Sequence, residues 1–292
     1  AYLELNGKYI RKIQEKAEFA LDFWDLSSRN VPDEVTQKKI MEAAARPFNL
    51  KSPPLLRAVY IRTGNDSFTL LITGHHIVTD GASMDILVKE LGIFFNGGKP
   101  PELPCRYRDL ILAEKRRLDV KETGSLANYW KIALHEAPNR IDLPYASTHN
   151  IPPLGEASEC FLELPQATTA AARKFAKESG RTLPAVLLGS FYALLYRNTG
   201  QKDLVLGVPV SGRTQPGSAP LIGYFVNTVP LRCILDDEIS LARTAGLVQD
   251  MLLKAMENQA LPLEEILDAI ANKDRKINPL FNMAFVFQPN PA

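Results

Sequence analysis

Apolar and polar residues alternate along YLEL and KYIRKI on either side of Asn6-Gly7, two residues that tolerate the positive φ of a tight turn, so the chain opens on a predicted hairpin. Residues 19–26 (FALDFWDL) are apolar and extended in character. Pro32, Asp33 and Glu34 suit the first turn of a helix that the pattern carries to about Ala45, before Pro47. Two strands follow, PPLLRAVYIRT and SFTLLITG, with an Asn-Asp turn between them. Beyond the segment HHIVTDGAS, Met84, Ile86, Leu87, Leu91, Phe94 and Phe95 recur at helical spacing and stop at Gly97-Gly98. Helices over 107–118 and 126–134 complete the first half.

Residues 143–155 (LPYASTHNIPPLG) hold turn formers with neither a helical nor a strand period. They read as the boundary between two lobes, 1–142 and 158–292, with 143–157 as the linker. The pattern then restarts with a strand over 159–164, helices over 167–179 and 182–198, and a strand over 204–209. Ser240 caps a long amphipathic helix to Glu257, with Leu241, Val248, Met251, Leu252 and Ala255 on one face. A short helix over 263–270 and a strand over 283–287 close the chain. The fold class is therefore α/β, in two lobes, without solenoid repeats.

Composition removes several function classes. Of 292 residues, 46% are hydrophobic and 23% charged, which is ordinary for a globular protein. Lys and Arg number 34 against 33 for Asp and Glu, and the net charge of +1 supplies no electrostatic reason to expect nucleic acid or an anionic membrane as partner. No apolar run approaches the about 20 residues that span a bilayer. The opening AYLELNGKYIRK has neither a signal-peptide core nor an initiator Met, and is expected to be cut from something larger. Cys105, Cys160 and Cys233 are scattered, odd in number and without CxxC spacing. They argue against a disulfide framework or a zinc site and fit a reducing, cytoplasmic setting. No P-loop, dinucleotide fingerprint or GxSxG appears; Gly189-Ser190 sits inside an apolar helix.

Chemistry concentrates at the end of the second strand. His75 and His76 are adjacent, and successive strand side chains point to opposite faces, so the pair is badly placed to grip one metal. One imidazole should face inward and the other a cleft. Asp80 stands four residues on, where the chain turns from strand to helix, and can curl beneath the imidazole or reach an Arg that stiffens the loop. Gly81 lets a substrate approach the backbone, and the helix start offers unpaired N–H groups to an anionic oxygen. A lone His-x-x-x-Asp is a weak pattern. The whole string Gly74-His75-His76-Ile77-Val78-Thr79-Asp80-Gly81-Ala82-Ser83, set between strand and helix, is far less common by chance.

That string resembles the HHxxxDG signature of the condensation domains of nonribosomal peptide synthetases, a family similar in fold to chloramphenicol acetyltransferase. Further segments are similar in the family's order. Tyr107-Arg108-Asp109-Leu110 resembles its tyrosine-led motif, and Gly207–Arg213 (GVPVSGR) its GxPxxGR stretch. Residues 221–232 (LIGYFVNTVPLR) are close to IGxFVNTxxxR. Asn258-Gln259 with Leu261-Pro262-Leu263-Glu264 is a loose (H/N)Q…PFE, and Ile277-Asn278-Pro279-Leu280-Phe281 matches RNPLF apart from Ile277. The family's two earliest motifs and its C-terminal strand and helix are absent, so the sequence resembles the middle of such a domain, trimmed at both ends.

The resemblance implies two chloramphenicol-acetyltransferase-like lobes with an active-site tunnel between them. It implies amide-bond formation between a donor acyl or peptidyl thioester and an acceptor aminoacyl thioester, both held on carrier proteins. Phosphopantetheine arms come on those carriers, no cofactor or metal is bound by this chain, and an adjacent adenylation domain is a further expected partner. His76 is expected to face the tunnel, as a base or as a group that orients the amine, with His75 packed inward. The expected catalytic set is His75, His76, Asp80 and Gly81. Asp80 is expected to be structural, paired with Arg213, with Arg57 and Arg232 as rivals. Gly81, Ser83 and Asn227 are expected on the substrate side. Three relatives share the motif or the fold: a free-standing acyltransferase, an epimerase, and a non-catalytic recruitment module.

Overall fold

A computed structural model describes residues 1–14, 16–27, 33–117, 121–144, 158–237, 240–270 and 280–288. The chain packs as two compact units, one of residues 1–107 with 217–225, the other of 108–216 with 226–292.

The first unit opens on the expected hairpin. Strands β1 (Tyr2–Leu5) and β2 (Lys8–Arg11) pair antiparallel, Tyr2 opposite Arg11. Asn6 (φ 52°) and Gly7 (φ 72°) hold the left-handed turn that the Asn-Gly pair makes cheap. Strand β3 (Leu21–Asp25) runs parallel to β4 (Leu56–Arg62), which pairs antiparallel with β5 (Phe68–Gly74), giving the order β3-β4-β5. Parallel neighbours need a crossover, and helix α1 (Asp33–Ala45) lies in the connection. Ala58, Val59 and Ile61 of the central strand are buried. Rings cross the sheet beside them: Tyr60 stacks on Phe68 at 5.1 Å and leans on Phe23 at 6.0 Å. Helix α2 (Gly81–Phe95) starts shortly after β5 ends, and its entry is the candidate site.

The second unit holds α3 (Tyr107–Arg117) from Arg108 onward, α4 (Lys121–Ala133), α5 (Gln166–Glu178), α6 (Leu183–Thr199), the antiparallel pair β6 (Asp203–Val210) and β7 (Asn227–Ile234), α7 (Leu241–Glu257) and α8 (Leu263–Ala269). Residues Leu204–Val208 are all buried, as a continuous apolar run covered on both faces should be. They share one core with Trp130, Leu134, Leu188, Tyr192, Val248, Ile266 and Phe281. Two glycines permit the close approaches there. A Cβ on Gly189 would lie 3.1 Å from the Ala245 backbone of α7, and one on Gly207 would strike the Phe281 ring at 2.4 Å.

Four expectations change. The packing divides the chain after Tyr107, because Trp130, Leu134 and Ile141 join the core of the second unit; of the expected linker 143–157, residues 145–157 lie outside the described ones. The strand expected over 159–164 is absent: Phe161 and Leu162 are 89% and 82% exposed, and among the described residues no backbone pairs with them. Alternation makes a strand possible, but only a partner's N–H and C=O groups make one. The strand expected over 283–287 shrinks to one parallel bridge, Gly207 with Ala284. In α7 the buried residues include Thr244, Ala245, Val248 and Ala255, while Leu241 is exposed.

Candidate active site

The loop between β5 and α2 is shaped by close packing around small residues. A Cβ on Gly74 would stand 2.7 Å from Thr79 Cγ2, so glycine at the end of β5 lets the loop fold back on itself. The His75 N–H donates to Leu55 O at 2.9 Å, and the Val78 N–H to His75 O at 3.0 Å, closing a turn over both histidines. The Tyr2 hydroxyl donates to Ile77 O at 3.1 Å, fastening the N-terminal hairpin to the same loop.

The two imidazoles part as the sequence predicts. His75 is half-buried, with Phe48 edge-on at 5.9 Å. Its Nδ1 accepts the Ile77 N–H at 3.0 Å, so that nitrogen carries no hydrogen. His76 is exposed, and its ring meets Tyr224 edge-on at 5.4 Å and 87°. The structure thus separates a scaffold histidine from one open to solvent, as adjacent residues leaving a strand require.

Asp80 is 3% exposed and is the N-cap of α2, in extended backbone (φ −132°, ψ −179°). Oδ1 accepts from the Ser83 N–H at 2.8 Å and lies 2.7 Å from Ser83 Oγ; Oδ2 accepts the Phe225 N–H at 3.1 Å. Ser83, with no exposed surface, also sits 2.8 Å from Gly223 O and accepts the Gly223 N–H at 3.1 Å. Asp80 and Ser83 therefore stitch the segment 223–225 to the helix start, 140 or more residues away in sequence. Such a carboxylate is a structural anchor as well as a cap. Gly81 is exposed, and a Cβ there would meet nothing. The protein's own packing places no demand for glycine at this position.

Of the remaining expected residues, Asn227, Arg213 and Arg232 belong to the second unit and Arg57 to the first. The Asn227 amide donates to Gln259 O and Leu261 O, both at 2.8 Å, and its oxygen accepts from the Thr228 N–H. Both of its N–H groups tie β7 to the turn after α7, so the side chain supports the backbone there. Ser83, also expected on the substrate side, is likewise enclosed. Arg213 lies in the second unit. Of its rivals, Arg57 stacks on Phe48 at 3.9 Å and donates to Arg46 O, and Arg232 forks onto Asp203 at 2.9 and 2.7 Å. Among the described residues no group of three or more His, Cys, Asp or Glu side chains could hold a metal. No described helix is long and apolar enough to cross a membrane.

The condensation domain family matches over residues 1–292. The chain belongs to that family. The condensation domain is 34% identical over 272 residues to phosphinothricin tripeptide synthetase PhsC of Streptomyces viridochromogenes, across 89% of this chain and 25% of that protein. It is 29% identical over 288 residues to bacitracin synthase 1 of Bacillus licheniformis, across 97% of this chain and 6% of that protein. The chain thus spans a quarter or less of the length of these two curated relatives. Among solved structures it resembles the first condensation domain of the calcium-dependent antibiotic synthetase in complex with a substrate analogue (TM-score 0.77, 22% identity, 93% of this chain and 65% of that one). It also resembles a variant of the starter condensation domain of rhizomide synthetase in complex with C8-CoA (TM-score 0.83, 19% identity, 99% and 65%). These likenesses place the fold among the α/β condensation domains.

One contributor to the site escaped prediction by residue. Tyr224 lies 148 positions from His76 and meets it where Asp80 and Ser83 hold its neighbours. The signal present was the segment LIGYFVNT, which reads locally as a core strand; the strand begins only at Asn227.

Proposed function

We propose that this condensation domain forms an amide bond between a donor acyl or peptidyl thioester and the amine of an acceptor aminoacyl thioester. Donor and acceptor arrive on phosphopantetheine arms of partner carrier proteins, within a multimodular synthetase that includes an adenylation domain. The supporting observation is the division of labour at the β5–α2 loop. His76 is exposed and unencumbered by hydrogen bonds among the described residues, while His75, Asp80 and Ser83 are spent on holding the loop. A rigid loop presenting one free imidazole suits removal of a proton from the attacking amine, or orientation of that amine toward the donor carbonyl. Attack forms the C–N bond and a tetrahedral oxyanion; collapse expels the donor's thiolate, and the amine proton is carried away. Gly81, with open space where a Cβ would stand, leaves the backbone of the helix start accessible to substrate.

The test is His76→Ala in the intact synthetase, with dipeptidyl product on the acceptor carrier measured under single turnover. Product formation should fall about 100-fold or more, the lower end of what general acid–base groups contribute. Unchanged product formation refutes the assignment. Running the wild-type domain with carrier-bound and coenzyme A donors side by side separates condensation from a coenzyme A acyltransferase. Loss of the α-hydrogen without amide product would indicate an epimerase.

A further inference from the structure

Among the described residues no hydrogen bond or ion pair holds the His76 ring; the group against it is Tyr224, edge-on at 5.4 Å. A side chain exposed to solvent and free to rotate loses much of its value in positioning a substrate, because each of its rotamers dilutes the productive one. Tyr224 is itself held with unusual care for a residue that is 45% exposed. Its carbonyl accepts the Tyr107 hydroxyl at 2.7 Å. On one side the Phe225 N–H is bound to Asp80, and the Phe225 ring stands edge-on to Tyr107 at 5.0 Å. On the other, Gly223 is bound through both its N–H and its carbonyl to Ser83. A Cβ on Gly223 would come within 2.4 Å of the Tyr107 ring, so the backbone here lies flat against that ring. The Arg11 guanidinium stacks 4.9 Å from the centre of the Tyr107 ring.

We infer that Tyr224 is a positioning residue for His76: its ring limits the rotation of the imidazole, and Tyr107, Asp80 and Ser83 hold the backbone that carries it. The contact is edge-on between rings, and among the described residues no hydrogen bond joins the phenol oxygen to His76, so phenylalanine should serve and leucine should not. The inference rests on His76 as the working imidazole, and its test has two arms. In the labelled 292-residue chain, the His76 Cε1–Hε1 NMR signal should move toward the free-histidine position in Tyr224→Leu, as the ring current is lost, and stay in place in Tyr224→Phe. In the intact synthetase, Tyr224→Leu should lower kcat about tenfold with KM within about twofold, and Tyr224→Phe should restore it. Tyr107→Phe, which frees the Tyr224 carbonyl, should move the same NMR signal part of the way. A His76 signal unmoved by Tyr224→Leu, or equal losses of kcat in the Leu and Phe variants, overturns the inference. If His76→Ala retains full activity, the catalytic reading fails, while the NMR arm still decides whether Tyr224 sets the ring.

Discussion

At Asp80 one carboxylate caps a helix, orients a buried serine and captures the backbone of a segment 145 residues away. Its neighbour Gly81 has the opposite character, being open to solvent with space where a side chain would go. Gly81→Ala should therefore leave the thermal midpoint unchanged or raise it, since alanine is about 0.5–1 kcal/mol better in a helix. Amide formation should drop in the same variant; a lower midpoint and full activity would mean that the glycine is structural. The thiols divide in the same way. Burial, reinforced by the charge of Asp203, pushes the Cys233 thiol up to about 12, whereas Cys160 is exposed. Iodoacetamide at about pH 8 should label Cys160 in the native protein and reach Cys233 only after denaturant is added. The sign for stability follows from a raised folded-state value. The neutral thiol's contribution is complete below about pH 9, its ordinary range, and is lost as pH climbs toward 12.

Strand β7 shows what a propensity reading of an element leaves out. Pro230 interrupts the run NTVPLRCI, and proline within a run argues against a central strand. It is accommodated opposite Gly207, a residue with no side chain of its own to place. Arg232 then binds the two strands together through side chains. Its guanidinium forks onto Asp203 and donates to His135 O at 2.6 Å, and the Asp203 hydrogen bonds hold the Arg232 pKa above its ordinary value. A lysine cannot reproduce the fork. Arg232→Lys should cost about 1–2 kcal/mol, read as a shifted urea midpoint with an unchanged slope. The opposite failure occurs at 159–164, where alternating FLEL suggests a strand and the described structure holds none. Alternation reports which residues would face a core; it says nothing about whether a neighbouring strand is present to pair with.

Across the whole molecule, protection should follow these differences in packing. Amides of α6, β6 and β7 lie around side chains such as Tyr192, Leu204, Leu206, Val229 and Cys233, all without exposed surface, and should exchange with deuterium slowest. Amides of 159–164 have no backbone partner among the described residues and should exchange within seconds. Slow exchange there would show a pairing that the described structure lacks. The sequence by itself determined most helices, the opening hairpin, the strands β4, β5 and β6, the candidate site at HHIVTDG and the differing exposure of His75 and His76. All of these follow from local periodicity, turn chemistry and the alternation of strand side chains. The tertiary structure decided where the units part, that Ser83 and Asn227 bond distant backbone groups, and that Tyr224 stands against His76. Those outcomes depend on which distant N–H and C=O groups a buried polar side chain finds, and no local pattern encodes a partner 140 residues away.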